Sequence, residues 1–407
     1  MTLIFDAVRT PRGRGIGQQE SHPGGLSRFT PHELVKQLIA AIDDRADGSP
    51  CDHTGMLMLS CVGQIGSQGG HIALVSKLAS ALPDASAALT LNNYCAGGLS
   101  AINLADSWSS AKPDQLVLAG GVEMLSRVPF LADRADLYHN PEIRDELQWV
   151  PAPVGSEIMA AMEGFGRKDL DDVTLRSHQR AAAAWANGWF EKSVVPVTDS
   201  NNETALATDE WVRADLTSEQ LDRLPLLLED SDPEAILQTM RSHRLADLED
   251  FQFTHTPGHV PGFTDGAALV VLGSADAGER AALTPRAEIL ATAETGGNHV
   301  LQFGAGFDAM EHALQASRMD LSDIDVIEFM EAFAAAPLRF ERRYKPDMDR
   351  VNPNGGHLAM GHPMGATGAV LVSILLDELE RRDKETGVVV TLGATGIGSA
   401  LIVRRTH

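Results

Sequence analysis

Apolar residues recur at helical spacing over 31–44, where Leu34, Leu38 and Ile39 share one side. Short apolar runs bounded by turn residues occupy 2–7, 56–65, 87–91 and 115–119, the last closed by Gly120-Gly121. This pattern predicts strands in the short runs, helices over 31–44 and 71–82, and a further helix opening just after Cys95. From 130 to 250 the pattern changes to Pro-rich turns with two helical stretches, 156–164 and 170–186, and few strand signals. We read it as a loop-rich insertion, a kind of segment that often carries substrate contacts. Alternation resumes with strands at 267–272, 287–293, 325–329, 388–392 and 399–404 and helices at 308–317 and 366–381. Strands alternating with helices of this length imply an α/β fold with a parallel or mixed sheet covered on both faces. The alternation on either side of the insertion points to two similar halves, although no repetition of residues is visible between them.

Composition narrows the function. With 43% hydrophobic and 22% charged residues over 407 positions, the chain is an ordinary globular protein too long for one core. Its formal net charge of −23 argues against nucleic acid or an anionic membrane as partner. Much of the acid lies between 199 and 250, a solvated face of the insertion. No apolar run approaches the ~20 residues that span a bilayer, and the N-terminus lacks the apolar segment of a signal peptide. Three cysteines without CxxC spacing suggest neither a disulfide framework nor a zinc site. A cytoplasmic protein without a metal is expected.

Two stretches carry chemistry. In Asn92-Asn93-Tyr94-Cys95-Ala96-Gly97-Gly98 a polar turn leads into Cys95, followed by small residues and an apolar helical pattern. A sulfur at a helix start is favoured as thiolate by free N–H groups and the helix dipole. The alternative is a buried structural cysteine. Far downstream, Asn352-Pro353-Asn354-Gly355-Gly356-His357-Leu358-Ala359-Met360-Gly361-His362-Pro363-Met364-Gly365-Ala366-Thr367-Gly368 sets two histidines on a Gly-rich entry to a helix. A neutral imidazole beside a thiol takes its proton and activates the nucleophile.

Together with further separated motifs, these stretches resemble the thiolases over nearly the whole chain. The other motifs are 7–13, 120–126 (Gly-Gly-Val-Glu-Met-Leu-Ser), 262–268 (Gly-Phe-Thr-Asp-Gly-Ala-Ala) and 331–334 (Glu-Ala-Phe-Ala). The resemblance implies the thiolase fold, two βαβαβαββ halves in a layered α/β/α/β/α arrangement. The implied N-terminal half is 1–128, completed by about 251–280; the inserted loop domain is 129–250, and the C-terminal half is 281–407. It also implies coenzyme A thioesters as substrates, no bound cofactor, a homodimer or homotetramer, and a place in lipid metabolism. Cys95 matches the acyl-accepting nucleophile and His362 the histidine that activates it. Arg213 matches an arginine near the CoA phosphate, and Gly396 and Gly398 would bring a backbone N–H to the oxyanion.

Three positions depart from the family. Met330 stands where an asparagine holds a water in one oxyanion hole, Gly393 where a second cysteine moves the α-proton, and Pro261 where a serine meets the pantetheine arm. Glycine cannot perform acid–base catalysis, which typically contributes about 10²–10⁴-fold. His357 is the stand-in expected from the sequence and Glu331 a weaker one; against this, His357 could be a loop histidine bound to a carbonyl. The expected function is a thiolase-like acyltransferase, through 3-oxoacyl-CoA thiolysis or Claisen condensation. The alternatives are acyl transfer to another acceptor, or a degenerate subunit of the same fold.

Overall fold

The computed structural model describes residues 1–17, 21–245, 248 and 251–406. Gln18–Glu20, between the first predicted strand and helix, and Asp247, Glu249 and Asp250 of the acidic segment, lie outside the described residues.

The first half contains β1 (Leu3–Arg9), β2 (Gly13–Arg14), α1 (Pro31–Asp44), β3 (Thr54–Ser60), α2 (Ile72–Ala79), β4 (Ala87–Leu91), α3 (Gly97–Ala111) and β5 (Leu116–Met124). The segment that follows holds α4 (Asp136–His139), α5 (Pro141–Glu146), α6 (Ala152–Glu163), α7 (Arg167–Ala186), the hairpin β6 (Val197–Thr198) and β7 (Thr204–Leu206), α8 (Ser218–Asp222) and α9 (Pro233–Ser242). The chain then forms β8 (Thr264–Gly273), α10 (Ala275–Arg280), β9 (Ala287–Gly296), α11 (Ala305–Ser317), β10 (Val326–Phe329), α12 (Ala335–Tyr344), α13 (His357–Met360), α14 (Thr367–Arg381), β11 (Thr386–Gly393) and β12 (Ile397–Arg405).

Local sequence explains the clearest elements. Helix α1 starts where Pro31 follows Thr30, whose backbone N–H donates to Glu33 Oε2 at 2.7 Å, and it buries Leu34, Val35, Leu38, Ile39 and Ile42 on one face. Strand β5 does not stop at Gly120-Gly121, as the sequence suggested. It runs on to Met124, because Gly120 and Gly121 are paired on both sides, with Leu269 and Ala268 of β8 and with Leu59 and Ser60 of β3.

The strand order reveals the repeat that the residues hide. In the first half β3 and β5 are parallel, β8 is antiparallel to β5, and β1 is antiparallel to β8. In the second, β10 and β11 are parallel, β12 is antiparallel to β11, and β9 is antiparallel to β12. The two series meet through a short antiparallel pairing of Leu3 and Ile4 with Glu288 and Ala287. Helices α3 and α14 occupy equivalent places, each preceding a central strand. They pack on each other, and α14 touches strands of both halves. Their first turns meet backbone to backbone: a methyl group at Gly98 would lie 2.7 Å from Gly365 O, and one at Gly368 only 2.1 Å from Leu99 N.

One core, including Leu34, Leu38, Ile39, Leu57, Leu118 and Leu269, lies under α1 and α2. A larger one, including Leu99, Ile102, Val370, Ile374, Val389 and Leu401, surrounds the α3–α14 seam.

Candidate active site

The α3–α14 crossing decides where the chemistry sits. Cys95 ends the turn just before α3 and His362 lies on the loop just before α14, so the two similar halves deliver one reactive side chain each to the same place. Both line a cavity of about 660 Å³. Its wall also includes Met330, Met364, Phe303, Phe333, Leu358 and Ala394, with Arg14 from β2 and Trp211, Arg213, His178, Pro261 and Phe263 from the insertion and its flanks.

Cys95 Sγ lies 3.7 Å from Met364 Sδ. Burial pushes its thiol up to about 12; the N–H groups of Ala394 and of Cys95 itself oppose this, and the charge of Glu123 adds to it. The helix-start argument predicted a stabilised thiolate. The structure reverses that balance, because desolvation of a sulfur among apolar groups outweighs two backbone donors.

His362 is held from both sides. Its backbone N–H donates to Gly262 O at 3.0 Å, and its Nδ1 is 2.7 Å from Thr367 Oγ1 at the start of α14. Nε2 has no hydrogen-bond partner among the described residues. Burial, reinforced by the charge of Arg12, lowers its pKa to about 3. The resting pair is therefore a neutral thiol and a neutral imidazole.

His357 is fully buried and is not among the described residues that line the cavity. Its ring stands edge-on to His362 at 5.5 Å between centroids, and among the described residues neither of its nitrogens has a hydrogen-bond partner. Glu331 is occupied elsewhere: it accepts from Ser177 Oγ at 2.7 Å, Leu358 N at 3.0 Å and Asn352 Nδ2 at 3.2 Å.

Arg213 lines the cavity, its backbone N–H donating to His178 Nδ1 at 3.1 Å. Burial lowers the His178 pKa to about 4, so this ring is neutral. Arg14 also lines the cavity and stacks over Trp211 with 5.2 Å between guanidinium and ring centroid.

The β11–β12 turn places its glycines differently from the expectation. Gly396 N–H donates to Gln302 O at 2.9 Å, and Gly398 is paired with Leu392 and Thr295 inside the sheet. Among the described residues neither lines the cavity. The donor aimed at the sulfur from this hairpin is Ala394 N–H instead. A backbone donor at an alanine leaves no side-chain signal, which is why the sequence does not announce it.

The departures also have structural consequences. Met330 lines the cavity, and its sulfur accepts from Leu392 N at 3.4 Å. At Gly393 a Cβ would stand 2.9 Å from Ile397 Cβ, so the neighbouring strand already fills the space of a side chain. Two buried histidines on the segment before β8 are paired with carboxylates. His255 Nδ1 is 3.2 Å from Glu157, and His259 Nε2 is 2.7 Å from Asp171. Cys51 and Cys61 are buried free thiols. Among the described residues no cluster suits a metal ion, and no helix is long and apolar enough to cross a membrane.

Residues 2–230 match the family described as "Thiolase, N-terminal domain" and residues 283–405 "Thiolase, C-terminal domain". A beta-ketoadipyl-CoA thiolase of Pseudomonas aeruginosa is 32% identical, over 99% of this chain and 98% of its own length. An acetyl-CoA acetyltransferase of Synechocystis sp. is 31% identical over 99% of each. Among solved structures, human mitochondrial 3-ketoacyl-CoA thiolase in complex with CoA superposes with a TM-score of 0.83 at 27% identity, covering 100% of this chain and 98% of that one.

The chain belongs to the thiolase family, and it has the thiolase fold expected from its sequence. It is an enzyme of the acyltransferase class, with thiolase-type transfer as its reaction.

Proposed function

We propose that the protein cleaves 3-oxoacyl-CoA with coenzyme A, and runs the reverse condensation, through an acyl-enzyme on Cys95 with His362 as its single proton carrier. The observation that carries this reading is the meeting of Cys95, His362 and the Ala394 N–H at one cavity whose wall includes Arg14 and Arg213.

His362 Nε2 takes the Cys95 proton as sulfur attacks the 3-oxo carbon. Because both groups are neutral at rest, this proton moves as the S–C bond forms rather than before it. The Ala394 and Cys95 N–H groups receive the oxyanion that forms on C3, two bonds from the sulfur. The C2–C3 bond then breaks, its electrons leave with the acetyl-CoA enolate, and the imidazolium returns its proton to C2. A second CoA thiol gives its proton to His362 and its sulfur takes the acyl group. Cys95 leaves and is reprotonated. One imidazole thus moves every proton, which accommodates glycine at 393. Arg213 and Arg14 bind CoA phosphate groups. A homodimer or homotetramer, a cytoplasmic location and a role in lipid metabolism complete the reading, and the three domains follow the boundaries 128, 250 and 280.

The test is intact mass after incubation with acetyl-CoA and with a 3-oxoacyl-CoA, followed by assay of CoA-dependent cleavage. An acyl adduct that vanishes in Cys95→Ala, accompanied by cleavage, is the expected outcome. Met330 and Gly393 favour a second reading, acyl transfer to a non-carbon acceptor, for which adduct without cleavage is the signature. Neither adduct nor cleavage would leave only the degenerate-subunit reading.

A further inference from the structure

Glu123, near the end of β5, is fully buried. Among the described residues no Lys or Arg pairs with it, which makes it an expensive group to keep. Its carboxylate is instead surrounded by donors from two loops that belong to different halves. From the first half come Val62 N at 2.8 Å, Gly63 N at 3.1 Å, Gln68 Nε2 at 2.7 Å and the Cys61 thiol at 3.6 Å. From the second comes Gly365 N at 3.2 Å.

That last donor bears directly on the reaction. Gly365 follows Met364, whose sulfur touches Cys95 Sγ, and lies three residues beyond His362. Met364 has φ of 30°, a backbone value that a side-chain-bearing residue holds only when its surroundings enforce it. The loop is also wedged against the first half, where a methyl group at Gly365 would lie 3.0 Å from Cys61 Cα. Val62, the other end of the bridge, lines the same cavity.

We propose that Glu123 is a positioning residue of the acyl-transfer site, a carboxylate clamp that joins the 61–63 loop to the 362–365 loop and so sets Met364 and the His362 loop against Cys95. The proposal rests on the acyl-enzyme reading above. It accounts for the buried charge, since several backbone and side-chain donors need one acceptor that can serve them all, and a carboxylate, with about four lone-pair sites, is the side chain that does so. The same charge also bears on Cys95 within the first half, where it disfavours the thiolate. Among the described residues the other titratable or charged groups near that sulfur, the carboxylate and the imidazole are Tyr94 on the Cys95 turn, Cys61 against Glu123, His362, and Arg12 and His357 beside His362.

The experiment compares wild type with Glu123→Gln and, as a milder loosening that keeps the charge, Gln68→Ala. Three quantities are measured: the melting temperature, the rate and half-saturation of Cys95 acylation by a 3-oxoacyl-CoA, and the pH profile of Cys95 alkylation by iodoacetamide. In Glu123→Gln we expect folded protein whose acylation rate falls roughly 10- to 100-fold, as for a misplaced reacting group. Half-saturation should be little changed, and the alkylation profile should move to lower pH because a negative charge near the thiol is gone. Gln68→Ala should lower the acylation rate less and leave the alkylation midpoint in place. A Glu123→Gln protein that melts lower yet acylates and alkylates like wild type overturns the proposal. Should Glu123→Gln not fold, an unchanged acylation rate in Gln68→Ala overturns it alone. If wild type forms no adduct with any thioester, the acyl-enzyme reading fails instead, while the alkylation shift still decides whether Glu123 acts on Cys95.

Discussion

At the reactive residues, burial governs the chemistry. An exposed histidine titrates near 6.5, and a base of that kind would lose about tenfold in rate for each pH unit below it. His362, lowered to about 3 by desolvation and by Arg12, remains an unprotonated base well into acid. The rate of Cys95 acylation should therefore stay flat from pH 8 down to pH 5, measured as adduct formation by rapid quench and mass. A fall centred near 6.5 would mean that Nε2 is solvated and charged there. His357 yields a prediction of a different kind. Its ring stands against His362 and His357 is not among the described residues that line the cavity, so His357→Ala should lower adduct formation and cleavage together, by less than about tenfold, through a loosened His362. If cleavage alone collapsed while the adduct still formed, the second proton would belong to His357 and the single-imidazole scheme would be wrong. Side chains such as Cys95 and His362 are legible from the sequence because their chemistry is written in their residue type and setting. Ala394 is not, since its contribution is an N–H that every residue but proline carries.

At the scale of elements, legibility follows how local the cause is. Helix α1 reads directly, because its proline, its Thr30–Glu33 start and its apolar spacing are all contained in the segment. Strand β5 reads as ending at Gly120-Gly121, since glycine weakens an isolated strand and only the partners on each side, β3 and β8, show why it continues. The hairpin of β11 and β12 presents the same difficulty at the site. Thr395 and Gly396 turn through positive φ values of 61° and 78°, which spends the Gly396 N–H on Gln302 and leaves Ala394 facing the sulfur. A glycine motif announces a tight turn, but which of its amides points at a ligand depends on the strand register beyond it. The similarity of the two halves is likewise a property of strand order. It becomes visible only when β3-β5-β8-β1 and β10-β11-β12-β9 are laid side by side, and it explains why Cys95 and His362, 267 positions apart in the chain, lie at matching helix starts.

At the scale of the molecule, the insertion is tied to the loop that carries His362 by a buried ionic joint. Asp209 receives Arg9 Nη1 at 2.8 Å and Nη2 at 3.1 Å, Arg12 Nη2 at 3.0 Å and Arg12 N at 2.7 Å. Arg12 Nη2 also contacts Met360 Sδ at 2.7 Å, and Nη1 reaches Gly361 O at 3.5 Å, one residue before His362. The insertion therefore helps to set the histidine loop as well as contributing Trp211 and Arg213 to the cavity wall. Although burial opposes ionisation, Arg12 and Arg9 hold the Asp209 carboxyl below its ordinary range. A carboxylate with a lowered folded pKa supplies stability that is fully present above the unfolded value near 4 and lost only as pH falls through the folded one. Asp209→Asn leaves two buried guanidinium groups facing a neutral amide. Breaking such a joint from one side costs about 3–5 kcal/mol, because the abandoned charges stay desolvated. The variant should unfold at correspondingly lower denaturant, by a similar amount at pH 6 and pH 8, since the wild-type carboxylate is ionised at both. Its surviving folded fraction should also acylate Cys95 more slowly, because Arg12 no longer holds residues 360–361 in place. An Asp209→Asn protein as stable as wild type would show that the arginines reach water or another acceptor, and that the insertion is held by its apolar contacts alone.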